Sequence, residues 1–234
     1  HKFVGGPQAS GLLIVRHDAI RTAKPTLPGG GTVKFVSPTA HDYSANVEAR
    51  EEAGTPNVIG DIRAALCFLV KAAVGQDYIT RRNRENHDRA LRAWGAHPAI
   101  VLLGNLTCER LLFFSFRLRN GAGGYVHQQL VTRLLSDCFG IQARGGCACA
   151  GPYVHRVLGI DAETSDKMRA AILAGHEAEK PGFTRLNFSY LASDAEVEII
   201  LKSVLELADS ASQHVSAYQC DPATAIFTAV QATA

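Results

Sequence analysis

The sequence predicts an α/β protein whose C-terminal part holds a mainly antiparallel sheet covered by helices. In the segment Val58–Val74, apolar residues recur at helical spacing, which predicts an amphipathic helix. The runs Ala99–Gly104 and Leu111–Leu118 are rich in aliphatic and aromatic residues and are separated by a short polar loop, so they predict an antiparallel hairpin. The chain has 234 residues, of which 47% are hydrophobic, and is therefore long enough to bury a sizeable core.

Composition and charge argue against several classes of partner. The net charge is +2, and acidic and basic residues are interspersed, so we expect binding to neither nucleic acid nor a membrane surface. No apolar run approaches the roughly 18 residues that a membrane span needs. Six cysteines without the spacing of a disulfide scaffold favour a reducing compartment, and hence a cytoplasmic location. Because the chain begins at His1 and soon enters an apolar run, we expect that its N-terminal part, with any targeting segment, is missing.

The N-terminal third is predicted to contain strands, loops and long helices. The aliphatic run Leu12–Arg16 predicts a buried strand, and the alternation in Val33–Val36 predicts a half-exposed one, with residues 17–32 as a loop between them. Gly75 is a favourable end for the helix over Val58–Val74. Asp77–Trp94 predicts a second helix, whose charged run favours a solvated face over a binding patch.

Helices and strands continue to alternate beyond the hairpin. The last helix is preceded by a capping box, Ser193-Asp-Ala-Glu196, and the small polar residues after Ser210 predict a loose tail. The predicted elements are a helix over Gly124–Phe139, a strand over Ile141–Arg144, a helix from Pro152, a helix over Ser165–Ala178, a strand over Thr184–Tyr190 and a helix over Val197–Ala208.

The loop Ala143–Pro152 carries the clearest chemical signal, because it holds two cysteines, an arginine and three glycines between a predicted strand and a predicted helix. Glycine lets the backbone approach a ligand, and a nearby guanidinium or helix N-terminus favours the thiolate form of a thiol. The loop therefore indicates a cysteine nucleophile. Cys147 and Cys149 are alternatively small apolar fillers of a tight turn. A metal site that adds His155 is a further alternative, although C-x-C with one histidine lacks the four-ligand spacing of structural zinc.

Five segments in order resemble the class V aminotransferase family of pyridoxal-phosphate enzymes, most of all its cysteine desulfurase-like branch. The order and spacing agree from residue 1 to about residue 208, so the resemblance covers most of the chain. The segments are His1-Lys2 with the turn Gly5-Gly6-Pro7, the run Pro28-Gly29-Gly30-Gly31, the stretch from Arg50 to Asn57, the cysteine loop, and Thr184–Tyr190 with Arg185.

The resemblance implies the C-terminal part of a fold type I protein that uses pyridoxal 5'-phosphate. Residues 1–78 would be the remnant of the large cofactor-binding domain, and residues 79–234 the small C-terminal domain. Lys2 would form the Schiff base with the cofactor, and His1 would lie near its phosphate. Thr55 would reach the phosphate of the neighbouring subunit, so a homodimer is implied. Because the family places other cofactor contacts before the lysine, we expect these 234 residues alone to bind the cofactor poorly.

The resemblance also implies how an amino-acid substrate would be held. Arg185 would bind the substrate carboxylate, with Arg144 as a second candidate, because a planar guanidinium suits bidentate binding. Cys149 stands where desulfurases carry the nucleophile that takes up the substrate sulfur as a persulfide. Two departures from the branch are Cys147, where many relatives have histidine, and around twenty extra residues that include Asp161–Pro181.

Three interpretations follow for the function. The first is removal of sulfur from L-cysteine through a persulfide on Cys149. The second is a transaminase, epimerase or lyase acting on another amino acid, in which both cysteines are structural, because one scaffold can support several reactions. The third is a catalytically inactive protein that keeps the small domain for dimerisation.

Overall fold

A computed structural model describes residues 6, 8–147 and 149–230 of the chain. The chain divides into two compact units, His1–Gln76 and Asp77–Ala234, and both hydrophobic clusters lie in the second. None of the described helices is long and apolar enough to cross a membrane. All six cysteines are free thiols. The assignment of residues 1–78 and 79–234 to a large and a small domain stays a prediction.

The first unit contains a small hairpin and two helices. Strand β1 (Val33–Val36) pairs antiparallel with β2 (His41–Tyr43), and helices α1 (Val47–Glu51) and α2 (Val58–Val74) follow. The bounds of β1 and α2 confirm the prediction, whereas the short elements β2 and α1 were not predicted. Helix α2 begins where the Asn57 side chain accepts a hydrogen bond from the Gly60 N–H group, at 3.1 Å.

The predicted strand over Leu12–Arg16 is wrong. These residues have no regular structure, and Leu13 and Ile14 are 88% and 94% exposed. A strand is stable only when its backbone groups pair with a neighbouring strand. In the described part of this unit, no strand runs beside residues 12–16. The aliphatic composition of this run was therefore a misleading signal.

The second unit is built on a four-stranded sheet of order β3-β4-β6-β5, in which all neighbours are antiparallel. This arrangement confirms the predicted mainly antiparallel sheet and the hairpin formed by β3 and β4. The elements are α3 (Gln76–Trp94), β3 (Ile100–Leu102), β4 (Phe113–Leu118), α4 (Gln128–Phe139), β5 (Arg144–Gly146), α5 (Gly151–Leu158), α6 (Ala162–Leu173), β6 (Phe183–Asn187), α7 (Asp194–Ser210), β7 (Tyr218–Asp221) and β8 (Ile226–Ala229).

The main core lies on one face of this sheet, against α3, α4 and α7. Alternation along β4 directs Phe114, Phe116 and Leu118 into it, and all three are fully buried. The buried Trp94 of α3 packs edge-on against Phe114 at 5.2 Å, and its indole N–H donates to the Leu201 carbonyl of α7 at 3.2 Å. The aromatic centre therefore joins two helices to the sheet.

Several elements begin or end at residues other than the predicted ones, because local hydrogen bonds define different ends. Helix α4 begins four residues later than predicted, since the Asn120 side chain accepts from the N–H groups of Ala122 and Gly124 and closes a turn there. Strand β5 covers Arg144–Gly146 rather than Ile141–Arg144. The capping box of α7 is confirmed, with both Ser193 and Glu196 engaged.

The prediction of a loose tail after Ser210 is also wrong. A 3-10 segment, Ala211–Ala217, leads into the antiparallel hairpin of β7 and β8. The Tyr218 hydroxyl donates to Asp137 of α4 at 2.9 Å, and the Phe227 ring lies 5.1 Å from the ring of His127. Tyr218 and Phe227 therefore anchor this small and polar segment on α4.

Candidate active site on the cysteine loop

The cysteine loop connects β5 to α5, and its glycines determine how closely β5 approaches its neighbours. A Cβ atom on Gly145 would lie 2.5 Å from the Gln129 side-chain oxygen and 2.6 Å from the Thr132 hydroxyl, both on α4. Gly146 has a φ of 109°, a conformation that side chains with a Cβ rarely adopt. A Cβ atom on Gly182 would lie 2.6 Å from the Gly146 Cα atom. A side chain at Gly145 would therefore displace its neighbours on α4, one at Gly146 would hold a strained backbone, and one at Gly182 would clash with the backbone of Gly146.

The two thiols of the loop have different environments. Cys147 is half-buried and packs against the small cluster of Leu103, Val154 and Phe183, on the opposite face of the sheet from the main core. Cys149 is exposed and has a φ of 59°, in the left-handed region that non-glycine residues seldom occupy. Backbone strain of this kind costs on the order of 1 kcal/mol. The accessible thiol is therefore the one held in the strained conformation.

One arginine contacts the exposed thiol, and a second arginine lies opposite the first. The Arg144 guanidinium donates a hydrogen bond to the Cys149 sulfur at 3.4 Å. Arg144 also lies directly opposite Arg185 in the β5–β6 ladder, so both side chains leave the same face of the sheet. Like charges in that position destabilise a sheet. Among the described residues, neither arginine forms an ion pair with a carboxylate, so the pair leaves a position where an anion would be stabilised.

An aromatic ring that was not predicted for the site supports Arg185. Its guanidinium lies 5.6 Å from the centre of the Phe113 ring. Phe113 alternates with the buried Phe114 along β4 and therefore faces the other side of the sheet. The strand periodicity could have revealed this position, but the run of phenylalanines was interpreted only as a strand signal. Gly182, whose backbone contacts Gly146, is a further residue of the site that the sequence analysis does not name.

Of the predicted site residues, the structure places Arg144 in contact with Cys149 and directly opposite Arg185. Thr55 is exposed in the first unit, two residues before Asn57, the residue that caps α2. His1 and Lys2 lie outside the described residues. The roles of these last three residues stay predictions.

The alternative metal site is not supported by the surroundings of His155. One ring nitrogen hydrogen-bonds the Gly151 carbonyl oxygen and the other the Ser165 hydroxyl, both at 2.9 Å. Both nitrogens are therefore engaged in holding α5 and α6. Within residues 6, 8–147 and 149–230, no group of three or more histidine, cysteine or acidic side chains is placed to hold a metal ion.

A model of the aminotransferase class-V family matches residues 1–200 of the chain. The chain belongs to the aminotransferase class-V family. This membership confirms the resemblance that the five sequence segments carry. Proteins of this family use pyridoxal phosphate, so membership also implies a pyridoxal-phosphate enzyme scaffold.

Two relatives of this class-V family member are a cysteine desulfurase and a molybdenum cofactor sulfurase. A cysteine desulfurase of Klebsiella pneumoniae subsp. pneumoniae is 30% identical over 156 residues, which cover 67% of this chain and 36% of the relative. A molybdenum cofactor sulfurase of Caenorhabditis briggsae is 25% identical over 240 residues, which cover 92% of this chain and 33% of the relative. The chain thus spans about a third of the length of these relatives.

A solved structure confirms the fold class. The apo structure of a cysteine desulfurase from Thermococcus onnurineus NA1 superposes with a TM-score of 0.62 at 28% identity, covering 80% of this chain and 40% of that one. The matched part of the chain therefore has the α/β fold of that structure.

Proposed function

We propose that this class-V family member removes sulfur from L-cysteine and that Cys149 receives the sulfur as a persulfide. The observation that carries the proposal is an exposed thiol in contact with Arg144, which in turn lies opposite Arg185. A nucleophile for the sulfur and a binding position for a carboxylate are thus adjacent. The names of the similar proteins, cysteine desulfurase and molybdenum cofactor sulfurase, agree with sulfur transfer.

Arg185 binds the substrate carboxylate in this proposal. It is half-buried and supported by the Phe113 ring, so less side-chain freedom is lost when it binds than for a fully solvated arginine. Arg144 is exposed and contributes a second positive charge on the same face. A bound carboxylate would also relieve the repulsion between the two guanidinium groups.

Cys149 carries out the sulfur step. Its thiolate attacks the sulfur of the bound cysteine, an S–S bond forms, and the C–S bond of the substrate breaks. The electron pair of the broken bond stays with the carbon skeleton, which takes up a proton and leaves as alanine. Pyridoxal phosphate, when bound, supplies the electron sink at the substrate carbon that lowers the barrier to this cleavage.

The remaining predicted residues serve the cofactor. Lys2 would hold it covalently, His1 would lie near its phosphate, and Thr55 would donate to the phosphate bound by the partner subunit. Thr55 lies just before the N-terminus of α2, an end of a helix that favours phosphate. The homodimer that this role of Thr55 requires is part of the proposal.

The test is alanine and persulfide formation by the protein in its full-length form, supplied with pyridoxal phosphate and L-cysteine. The change Cys149→Ser should lower alanine formation at least about 100-fold, because it removes the thiol that is the proposed sulfur acceptor. Cys108→Ser is the matched control, since Cys108 is also an exposed thiol but lies in the β3–β4 loop. Undiminished alanine formation by Cys149→Ser would exclude the proposal and favour the transaminase or epimerase interpretation.

A second candidate differs only in the acceptor of the sulfur. The match to the molybdenum cofactor sulfurase covers 92% of this chain, so it must run across Asp161–Pro181, the segment that departs from typical desulfurases. This observation favours delivery of the persulfide sulfur to a molybdenum cofactor. Transfer of labelled sulfur from Cys149 to that cofactor, rather than release as sulfide, would identify this candidate.

A further inference from the structure

The proposed sulfur chemistry leaves one thiol of the loop without a role. Cys147 and Cys149 are two residues apart, and the Ala150 N–H group donates to the Cys147 carbonyl at 3.0 Å, which closes a turn. A turn of this kind brings the Cα atoms of its first and third residues to within roughly 6 Å. A disulfide requires a Cα separation of about 4.4–6.8 Å. The Cα separation of the two residues is therefore within the range that a disulfide requires, and the bond forms once the two side chains turn toward each other.

The environments of the two thiols suit different roles. Cys149 faces solvent, where an incoming sulfur donor can reach it, whereas Cys147 is half-buried against Leu103, Val154 and Phe183. A half-buried thiol is less accessible to external sulfur donors than an exposed one. Its first reaction is therefore expected to be with the sulfur of the neighbouring residue. Arg144 contacts the Cys149 sulfur and would stabilise negative charge that develops there.

We propose that Cys147 is a resolving thiol that discharges a persulfide on Cys149. The Cys147 thiolate attacks the Cys149 sulfur, an S–S bond forms between the two residues, and the bond to the outer sulfur breaks. The outer sulfur leaves with the electron pair as hydrosulfide, so it is reduced while the Cys147 sulfur is oxidised, and the Cys149 sulfur keeps its oxidation state. A dithiol reductant must then restore the two thiols. The origin of the outer sulfur rests on the proposed function, but the discharge step does not.

The experiment supplies the sulfur chemically, so that it does not depend on turnover of cysteine. The 234-residue chain is treated anaerobically with inorganic polysulfide, digested with trypsin and analysed by mass. Cleavage after Arg144 and Arg156 yields one peptide that contains both thiols, whereas Cys108 lies in a separate peptide without a second cysteine. The Cys108 peptide thus reports simple persulfide formation in the same sample.

In the wild type, we expect the peptide with both thiols to lose two hydrogens, while the Cys108 peptide gains one sulfur atom. In Cys147→Ser, the corresponding peptide should gain one sulfur atom at Cys149, and sulfide release should be at least about tenfold slower. Cys147→Ala serves as a second variant if the serine form does not fold. A wild-type peptide that retains the extra sulfur would overturn the proposal, as would equal disulfide formation in urea-unfolded chain.

These outcomes are separable from those of the proposed function. Failure of the alanine assay together with formation of the disulfide would reject sulfur removal from cysteine and keep the resolving role of Cys147. Alanine formation together with a stable persulfide on Cys149 in the wild type would reject the resolving role alone.

Discussion

Replacing Gly182 with alanine tests whether contact between two glycine backbones positions the cysteine loop. The new Cβ atom would lie 2.6 Å from both the Cα and the carbonyl carbon of Gly146 and 2.9 Å from its oxygen. All three are backbone atoms, so no change of rotamer relieves the clash, and β5 must move away from β6. Overpacking costs about 1–3 kcal/mol, and losing a ladder hydrogen bond near Gly146 and Phe183 adds about 1 kcal/mol. We therefore expect a loss of about 2–4 kcal/mol in the free energy of unfolding.

The assay is urea unfolding of Gly182→Ala beside a control variant, Gly151→Ala. A Cβ atom on Gly151 has no neighbour within 4 Å, and this glycine also lies in the loop, at the start of α5. The control should remain within about 0.5 kcal/mol of the wild type. Alkylation of Cys149 by iodoacetamide should change rate only in Gly182→Ala, because its contact with Arg144 is altered. Equal stability of the two variants would refute the argument.

Two further predictions concern the start of α7. Ser193→Ala removes a cap in which the serine hydroxyl accepts a hydrogen bond from the Glu196 N–H group at 3.2 Å. Thermal unfolding should therefore reveal a loss of about 1 kcal/mol in the free energy of unfolding. An unchanged unfolding midpoint would contradict this prediction. Arg82, at 2.8 Å, lowers the pKa of Asp194, so this carboxylate stabilises the fold at neutral pH, and its contribution is lost as the pH falls through the lowered pKa. Below about pH 4, the free energy of unfolding should therefore depend less on pH in Asp194→Asn than in the wild type. Identical slopes of this free energy against pH in the two proteins would show that the ion pair does not contribute.

Much of the helical structure could be predicted because its signals are local. The bounds of α2 are those of its apolar periodicity, and the capping box marks the start of α7. The strands were harder, since their stability depends on partners distant in sequence. Leu12–Arg16 has the composition of a strand but no partner in the described residues, whereas the glycine-rich Arg144–Gly146 is a strand because β6 pairs with it.

The identity of the site residues could be predicted where it depends on side-chain chemistry. Their arrangement could not be predicted, because it depends on the geometry of the backbone. The preference for Cys149 over Cys147 rested on the resemblance, and the difference in their exposure agrees with it. Arg144 and Arg185 were each named, but nothing in the sequence places them opposite one another. That pairing follows from the position of β5 beside β6, which only the sheet order reveals.

Because β5 lies at the edge of the sheet, the segment Asp161–Pro181 before β6 can affect the position of the thiols. Because β5 has one neighbouring strand, its place depends on that ladder and on the contact between Gly146 and Gly182. The end of the extra segment is fixed on α4, where the Gln128 side chain donates to the Lys180 carbonyl at 3.1 Å. Gly182 follows two residues later. A change in the anchoring of this segment would therefore be transmitted through Gly182 to the turn that carries Cys149, without any direct contact with the sulfur.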